Sequence, residues 1–218
     1  MSNQLFNPGR EGFLAGEIDW DTAVIKVALV RGYAFDATDK FVSEVTAAGG
    51  TLVATSSALG SKSLTDGVAD AADVTFTSVA AGSAITGIII FQASAVTGGA
   101  DVAASSQRLI AWLDGNQLIT LAANASSGAT SITVDAILAN IASGATLTKV
   151  SGTGPTTATM SSSASAGART ISVSALSSSA SAEAVYSVPV SGNGLPITPD
   201  GNNITLTWDN GSNKIFKL

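Results

Sequence analysis

Histidine and cysteine are both absent from this sequence of 218 residues. The absence of cysteine excludes disulfides, zinc ribbons and thiol nucleophiles, and the absence of histidine removes the commonest general base and nitrogen metal ligand. An enzyme would have to work with carboxylates, lysine, tyrosine and serine. We therefore predict that the chain is not an enzyme and has no cofactor.

Charged residues are also scarce, at 12% of the chain, compared with about a quarter in an average soluble protein. The formal net charge is −6, whereas proteins that bind nucleic acid rely on lysine and arginine to displace the counterions of the phosphates. We expect no nucleic-acid partner. The hydrophobic content of 45% is sufficient for a folded core.

Long apolar runs are missing. The longest, from Ile85 to Phe91, is far below the roughly 20 residues that cross a bilayer, so we interpret it as a buried strand and expect no membrane partner. The first residues, MSNQLFNPGREGF, contain neither the basic region nor the apolar region of a signal peptide. We expect synthesis in the cytoplasm.

Alternating apolar residues predict a chain built mainly of strands. In residues 18–30, Ile25, Val27 and Leu29 fall on one face of an extended segment, and Val24, Lys26, Ala28 and Val30 fall on the other. Further strands are predicted over residues 73–79, 85–92 and 108–113, and one short helix over residues 37–48, where glycines 49 and 50 end it. The pattern indicates an all-β fold, with an antiparallel β-sandwich or barrel.

The C-terminal segment NNITLTWDNGSNKIFKL alternates apolar and polar residues on both sides of Asp209-Asn210-Gly211. Asn-Gly between alternating segments is typical of a tight hairpin turn. We predict a β-hairpin there.

A phrase recurs in the middle of the chain: SGATSITVDAI at residues 127–137 and AGARTISVSAL at residues 166–176 are offset by 39 positions. The apolar positions match across the two copies, about residues 119–150 and 158–189: Leu121 with Met160, Ile132 with Ile171, Val134 with Val173, Ile137 with Leu176, and Leu147 with Tyr186. Two copies are too few for a solenoid. We predict a small two-lobed β module.

The repeat lies in a segment of different composition. Between residues 114 and 191 the charged residues, after Asp114 itself, are Asp135, Lys149, Arg169 and Glu183, while the segments before and after it are richer in charges and aromatics. We predict that residues 114–191 are an insert in a discontinuous host domain, residues 1–113 together with 192–218. Insertion at a surface turn is well tolerated.

The host segments resemble a group of structural proteins of tailed-bacteriophage virions. The resemblance rests on NPGREGFLAGEIDWDTAVIKVALV, SLTDGVADAADVTFTSV, QRLIAWLDG and GLPITPDGNNITLTWDNGSNKIFKL, and covers about residues 7–113 and 194–218. It implies a virion location, partners such as the major capsid protein or other virion proteins, and a homo-oligomer. The implied role is a head decoration (cement) protein that projects its insert, with a tail or baseplate accessory protein that binds the host surface as the alternative.

The first seventeen residues are predicted to form an extended arm. Leu5, Phe6 and Phe13 are large and apolar, and the surrounding Pro8, Gly9 and Gly12 disfavour regular structure. Exposed apolar residues commonly mark contact sites, so these three side chains are the candidate partner contacts. The alternative is that Phe6 and Phe13 fold back beneath their own sheet.

If the chain were a glycosidase, a pair of carboxylates would be its catalytic residues. Asp19 with Asp21, and Glu11 with Glu17, are the available pairs. The competing interpretation, which we prefer, is that Asp19 and Asp21 satisfy turn amides at the entrance of a strand.

Three further acids, Asp66, Asp70 and Asp73, lie close in sequence and offer oxygen ligands of the kind that calcium takes. The spacing lacks the pattern of an EF-hand, and a solvated turn is the preferred interpretation. A glycan-binding surface would need exposed aromatics, and the insert contains only Tyr186, which counts against a lectin.

Overall fold

The structure is a computed structural model that describes residues 3–190, 195–209 and 214–218. Its contacts divide the chain into two compact units. The host unit consists of residues 3–114 and the described residues between 195 and 218, and the insert unit consists of residues 115–190. These bounds lie within a few residues of those expected from composition.

The host unit before the insert is made mainly of strands. Its elements are β1 (Asn3–Leu5), α1 (Asn7–Leu14), β2 (Val24–Arg31), α2 (Val42–Ala47), β3 (Thr51–Thr55), β4 (Ser63–Thr65), β5 (Val68–Asp70), β6 (Val74–Phe76), β7 (Gly87–Ser94) and β8 (Arg108–Leu113), with a 3-10 turn at Ala104–Ser106. The predicted all-β class is confirmed, because the described residues contain only two short α-helices. The predicted helix is α2.

A five-stranded antiparallel sheet in the order β1-β8-β7-β2-β3 forms the centre of the host unit. Strand β2 has the two faces that its alternation predicts: Ile25, Val27 and Leu29 pack into one apolar cluster. The other face of the strand, with Val24 and Ala28, packs into a second cluster. The sheet is therefore covered on both sides, which explains why every residue of β7 is buried.

The insert unit contains six strands: β9 (Asn116–Thr120), β10 (Ser131–Thr133), β11 (Thr146–Ser151), β12 (Thr157–Thr159), β13 (Thr170–Ser172) and β14 (Val185–Pro189). They form a four-stranded sheet in the order β12-β11-β14-β9 and a two-stranded sheet of β10 and β13. Both sheets combine strands from both copies of the repeat, and the two copies share one apolar core. The predicted two lobes are therefore wrong.

After the insert, β15 (Ile204–Leu206) and β16 (Phe216–Lys217) return to the host unit. Strand β15 pairs with β6, and β16 pairs with β5 in a three-stranded sheet with β4. The predicted C-terminal hairpin is wrong, since its two strands pair with different partners and not with each other. Its turn residues, Asn210 and Gly211, lie outside the described residues.

The small sheets contribute to the core on one face of the central sheet. Phe76, Trp208 and Phe216 belong to the same apolar cluster as Ile25 and Ile90. Layers of strands thus pack face to face, as in a β-sandwich.

Candidate functional site

The segment predicted to be an extended arm is folded into the host unit. Residues 3–5 form strand β1, in which Leu5 pairs with Ala111 of β8. Leu5 and Phe6 are buried, with exposed fractions of 7% and 0%, and Phe13 packs against Phe216 with ring centroids 5.9 Å apart. The prediction of an arm is wrong for the described residues 3–17. The predicted partner contacts lose their physical basis, and the alternative, a segment folded back onto its own sheet, is what the structure contains.

Glycine explains why this segment is regular despite its composition. Gly9 and Gly12 are the buried residues of α1. A Cβ at Gly9 would lie 2.9 Å from the Leu109 carbonyl oxygen, and one at Gly12 would lie 2.7 Å from Cδ1 of Ile18. Gly9 lets the helix approach the backbone of β8, and Gly12 lets it approach the side chain of Ile18, more closely than any side chain would permit. The two glycines therefore stabilise the packing that they were expected to prevent.

Leu14 is the large apolar side chain that the segment leaves in solvent, with an exposed fraction of 90%. It is the last residue of α1 and is next to Phe13, which packs inward against the host core. Adjacent residues of a helix point in different directions, so two consecutive apolar residues at a helix end could have indicated that one stays outside. Leu14 was not among the partner contacts predicted from the sequence.

Asp19 organises a turn and is not in a strand. Its Oδ1 accepts hydrogen bonds from the backbone N–H groups of Asp21 (3.0 Å) and Thr22 (3.1 Å), and its Oδ2 accepts one from the Thr22 hydroxyl (2.6 Å). These bonds favour the ionised form, and the Thr22 hydroxyl contributes most to holding the pKa of Asp19 below its usual value. The carboxylate is thus saturated by turn donors, as the preferred interpretation expected.

The second candidate pair is also engaged in a structural contact. Glu17 forms an ion pair with Arg108 of β8, and Glu11 is exposed on α1. One carboxylate of this pair is therefore used by an ion pair, and the other is exposed on the helix.

The three acids between residues 66 and 73 take separate roles. Asp66 has a φ of +52° in the turn between β4 and β5. The carboxylate of Asp70 lies 3.3 Å from Nζ of Lys214. The carboxylate of Asp73 accepts a hydrogen bond from the backbone N–H of Trp208 at 3.0 Å. Among the residues that the structure describes, no group of three or more acidic, histidine or cysteine residues could hold a metal ion. The calcium site is not supported.

The insert unit presents an uncharged outer face. Alternation along the four-stranded sheet points Leu147, Tyr186 and Val188 into the core. The outward positions include these hydroxyl and apolar residues: Leu118, Thr120, Thr146, Thr148, Thr157, Thr159, Val185 and Ser187. The register aligns Thr157, Thr148, Ser187 and Leu118 in one row across all four strands. The one charged residue in these strands, Lys149, donates to the Gly154 carbonyl at 2.8 Å.

The interior of the insert uses its few large polar groups for its own loops. Tyr186 is 2% exposed, and its hydroxyl donates to the Pro155 carbonyl at 3.2 Å. Gln117 is 1% exposed; its side chain accepts from the Leu138 N–H and donates to the Ala139 carbonyl, each at 2.8 Å. Tyr186 therefore cannot serve as an exposed platform for a sugar ring.

No helix in the described part of the chain is long and apolar enough to cross a membrane.

Comparison with known proteins adds no family assignment: no protein-family model, no curated protein and no solved structure matches this chain.

Proposed function

We propose that this protein is a structural component of a tailed-bacteriophage virion that decorates the head shell by binding the major capsid protein. The proposal extends the resemblance of the host segments to such proteins. In this role the host unit provides the docking surface, and the insert unit provides an inert outer surface.

The observation on which the proposal most depends is the outer face of the insert. The aligned row contains three hydroxyl residues and Leu118 and no charged residue, so it offers little to bind anions or cations. The acids Asp135 and Glu183 balance the bases Lys149 and Arg169, so the net charge of the chain comes from outside the insert. A neutral, hydroxylated surface suits a protein that covers a particle without cross-linking it to others.

The fate of the carboxylates also supports a structural role. Four carboxylates of the host unit already have a partner within it. Asp19 accepts from turn amides and Asp73 accepts from a backbone N–H. Glu17 pairs with an arginine and Asp70 pairs with a lysine. A catalytic pair would need carboxylates free to face a substrate.

The direct test is to measure the number of copies per particle in virions of the phage that encodes the chain, by quantitative mass spectrometry against the major capsid protein. Hundreds of copies would support head decoration. A few to tens would contradict it and favour a tail or baseplate accessory protein, and absence from purified virions would refute a virion role.

The docking unit is tested with two matched exposed leucines. Leu14 of the host unit is 90% exposed and Leu138 of the insert unit is 78% exposed, so either can be changed to aspartate without disturbing a core. If the host unit docks, L14D reduces incorporation into particles and L138D does not. The reverse result would assign docking to the insert.

A further inference from the structure

The two copies of the repeat meet at positions that are equivalent to each other. Ile132 of β10 pairs with Ile171 of β13, and Thr148 of β11 pairs with Ser187 of β14. In each pair the partners are 39 residues apart, which is the offset of the repeat. Two antiparallel strands place equivalent residues opposite each other only where a two-fold axis passes between them.

Further contacts between the copies occur in matched sets, as a two-fold axis requires. Leu147 pairs with Ala158, and the equivalent residues Tyr186 and Ile119 pair in the same way. Ala125 bridges to Ala180, and Ala164 bridges to Ile141. Backbone hydrogen bonds also occur in equivalent pairs. The Gly128 N–H donates to the Leu176 carbonyl and the Gly167 N–H donates to the Ile137 carbonyl, each at 2.8 Å. The Val134 N–H donates to the Arg169 carbonyl at 2.8 Å, and the Val173 N–H donates to the Thr130 carbonyl at 2.9 Å.

Neither copy has a core of its own. Strand β9 of the first copy pairs with β14 of the second, and the buried side chains of both copies form one apolar cluster. A copy alone would leave Ile132, Leu147 and their neighbours exposed to water, which is unfavourable for large apolar side chains. The apolar surface of each copy is therefore buried against the other copy.

We infer that the insert is a covalently fused two-fold dimer, and that the binding surface of each copy is complementary to a second copy of the same repeat. Residues 152–156 connect the copies but make none of the paired positions described above. A chain that contained one copy would therefore bind another such chain through its insert. This inference is independent of the proposed virion role, because it concerns only the pairing surface of the repeat.

The test is a full chain from which residues 152–190 are deleted. This removes one period of 39 residues, joins Ser151 to Ser191 and leaves one copy in place. We expect an assembly with twice as many chains as that of the undeleted protein, measured by sedimentation equilibrium, and dissociation on dilution. An unchanged number of chains at all concentrations would overturn the inference.

A cysteine cross-link makes the test specific for the axis, because the chain has no cysteine of its own. In the single-copy chain, Thr148→Cys would lie opposite the same residue of the second chain, and mild oxidation with diamide should join the two chains. Thr120→Cys is the matched control: Thr120 pairs with Val185, the equivalent of Thr146 and not of Thr120. Equal cross-linking at the two positions, or none at position 148, would overturn the inference even if the deletion variant were poorly soluble.

Discussion

Gly87 lies directly against the indole of Trp112: a Cβ on Gly87 would overlap Cη2 and Cζ2 of that ring. Trp112 is 2% exposed and pairs, within the central sheet, with Ile89 of the neighbouring strand. The missing side chain is thus what gives the tryptophan its space.

We predict that Gly87→Ala destabilises the host unit by about 1–3 kcal/mol, because a well-packed core cannot move away from an added methyl without strain. The free energy of unfolding in urea is the measurement. Gly60→Ala is the control, since a Cβ there meets nothing within 4 Å, and a similar loss in both variants would contradict the explanation.

The folded N-terminal segment leads to a second prediction. Phe6 is fully buried and packs near Phe35 with ring centroids 5.1 Å apart. Phe6→Ala should cost about 3–5 kcal/mol of host stability by leaving a cavity, whereas Leu14→Ala, at an exposed position, should change little. Normal stability of the Phe6 variant would show that the segment is an arm after all.

The turn around Asp19 predicts a dependence on pH. Because the folded-state pKa of Asp19 is lowered, its stabilising contribution is present above the unfolded pKa, near 3.8, and is lost as the pH falls through the lower folded pKa. The stability difference between the wild type and Asp19→Ala should therefore shrink in acid. Asp21→Ala is the exposed neighbour for comparison, and a difference that is constant down to strong acid would refute the role of the carboxylate.

The division into two units predicts that the insert is separable. Replacing residues 116–191 with a short Gly/Ser linker should leave a host unit that unfolds cooperatively, since the apolar clusters of the host contain no residue of the insert. Calorimetry of the shortened chain is the measurement. Loss of a cooperative transition would show that the two units share a core.

Local patterns in the sequence predicted those features that depend on neighbouring residues. The alternation of Ile25, Val27 and Leu29 against Val24 and Ala28 was sufficient to predict the strand β2 and its two faces. The equivalence of Ile132 and Ile171 in the two copies of the repeat could also be predicted from the sequence, because both copies have the same spacing of apolar residues.

Features that depend on residues far apart in the sequence could not be predicted from local patterns. Nothing local indicates that Thr205 pairs with Thr75, 130 positions earlier, so the strong turn signal after Trp208 wrongly favoured a hairpin. Gly9 and Gly12 are expected to break a helix unless their tertiary neighbours are known, which are the backbone of β8 for Gly9 and the Ile18 side chain for Gly12. The alternation of side chains along a strand predicts which face is buried, but it does not predict which strand is the hydrogen-bonded neighbour. The pairing between the two repeats could therefore not be predicted from the sequence.

The strand β16 has a consequence for the order of synthesis. Phe216 packs edge-on against Trp20 at 5.2 Å, and Trp208 completes the same cluster, so a growing chain cannot finish the host core until the insert has left the ribosome. Translation of the intervening segment, about 75 residues at about 5–20 residues per second, holds the half-built host open for roughly 4–15 s. Once residue 189 has been translated, the insert has all of its own strands, whereas the host unit still lacks β15 and β16. A chain that ends at residue 194 and has been released from the ribosome should therefore contain a folded insert and a host unit whose core is incomplete.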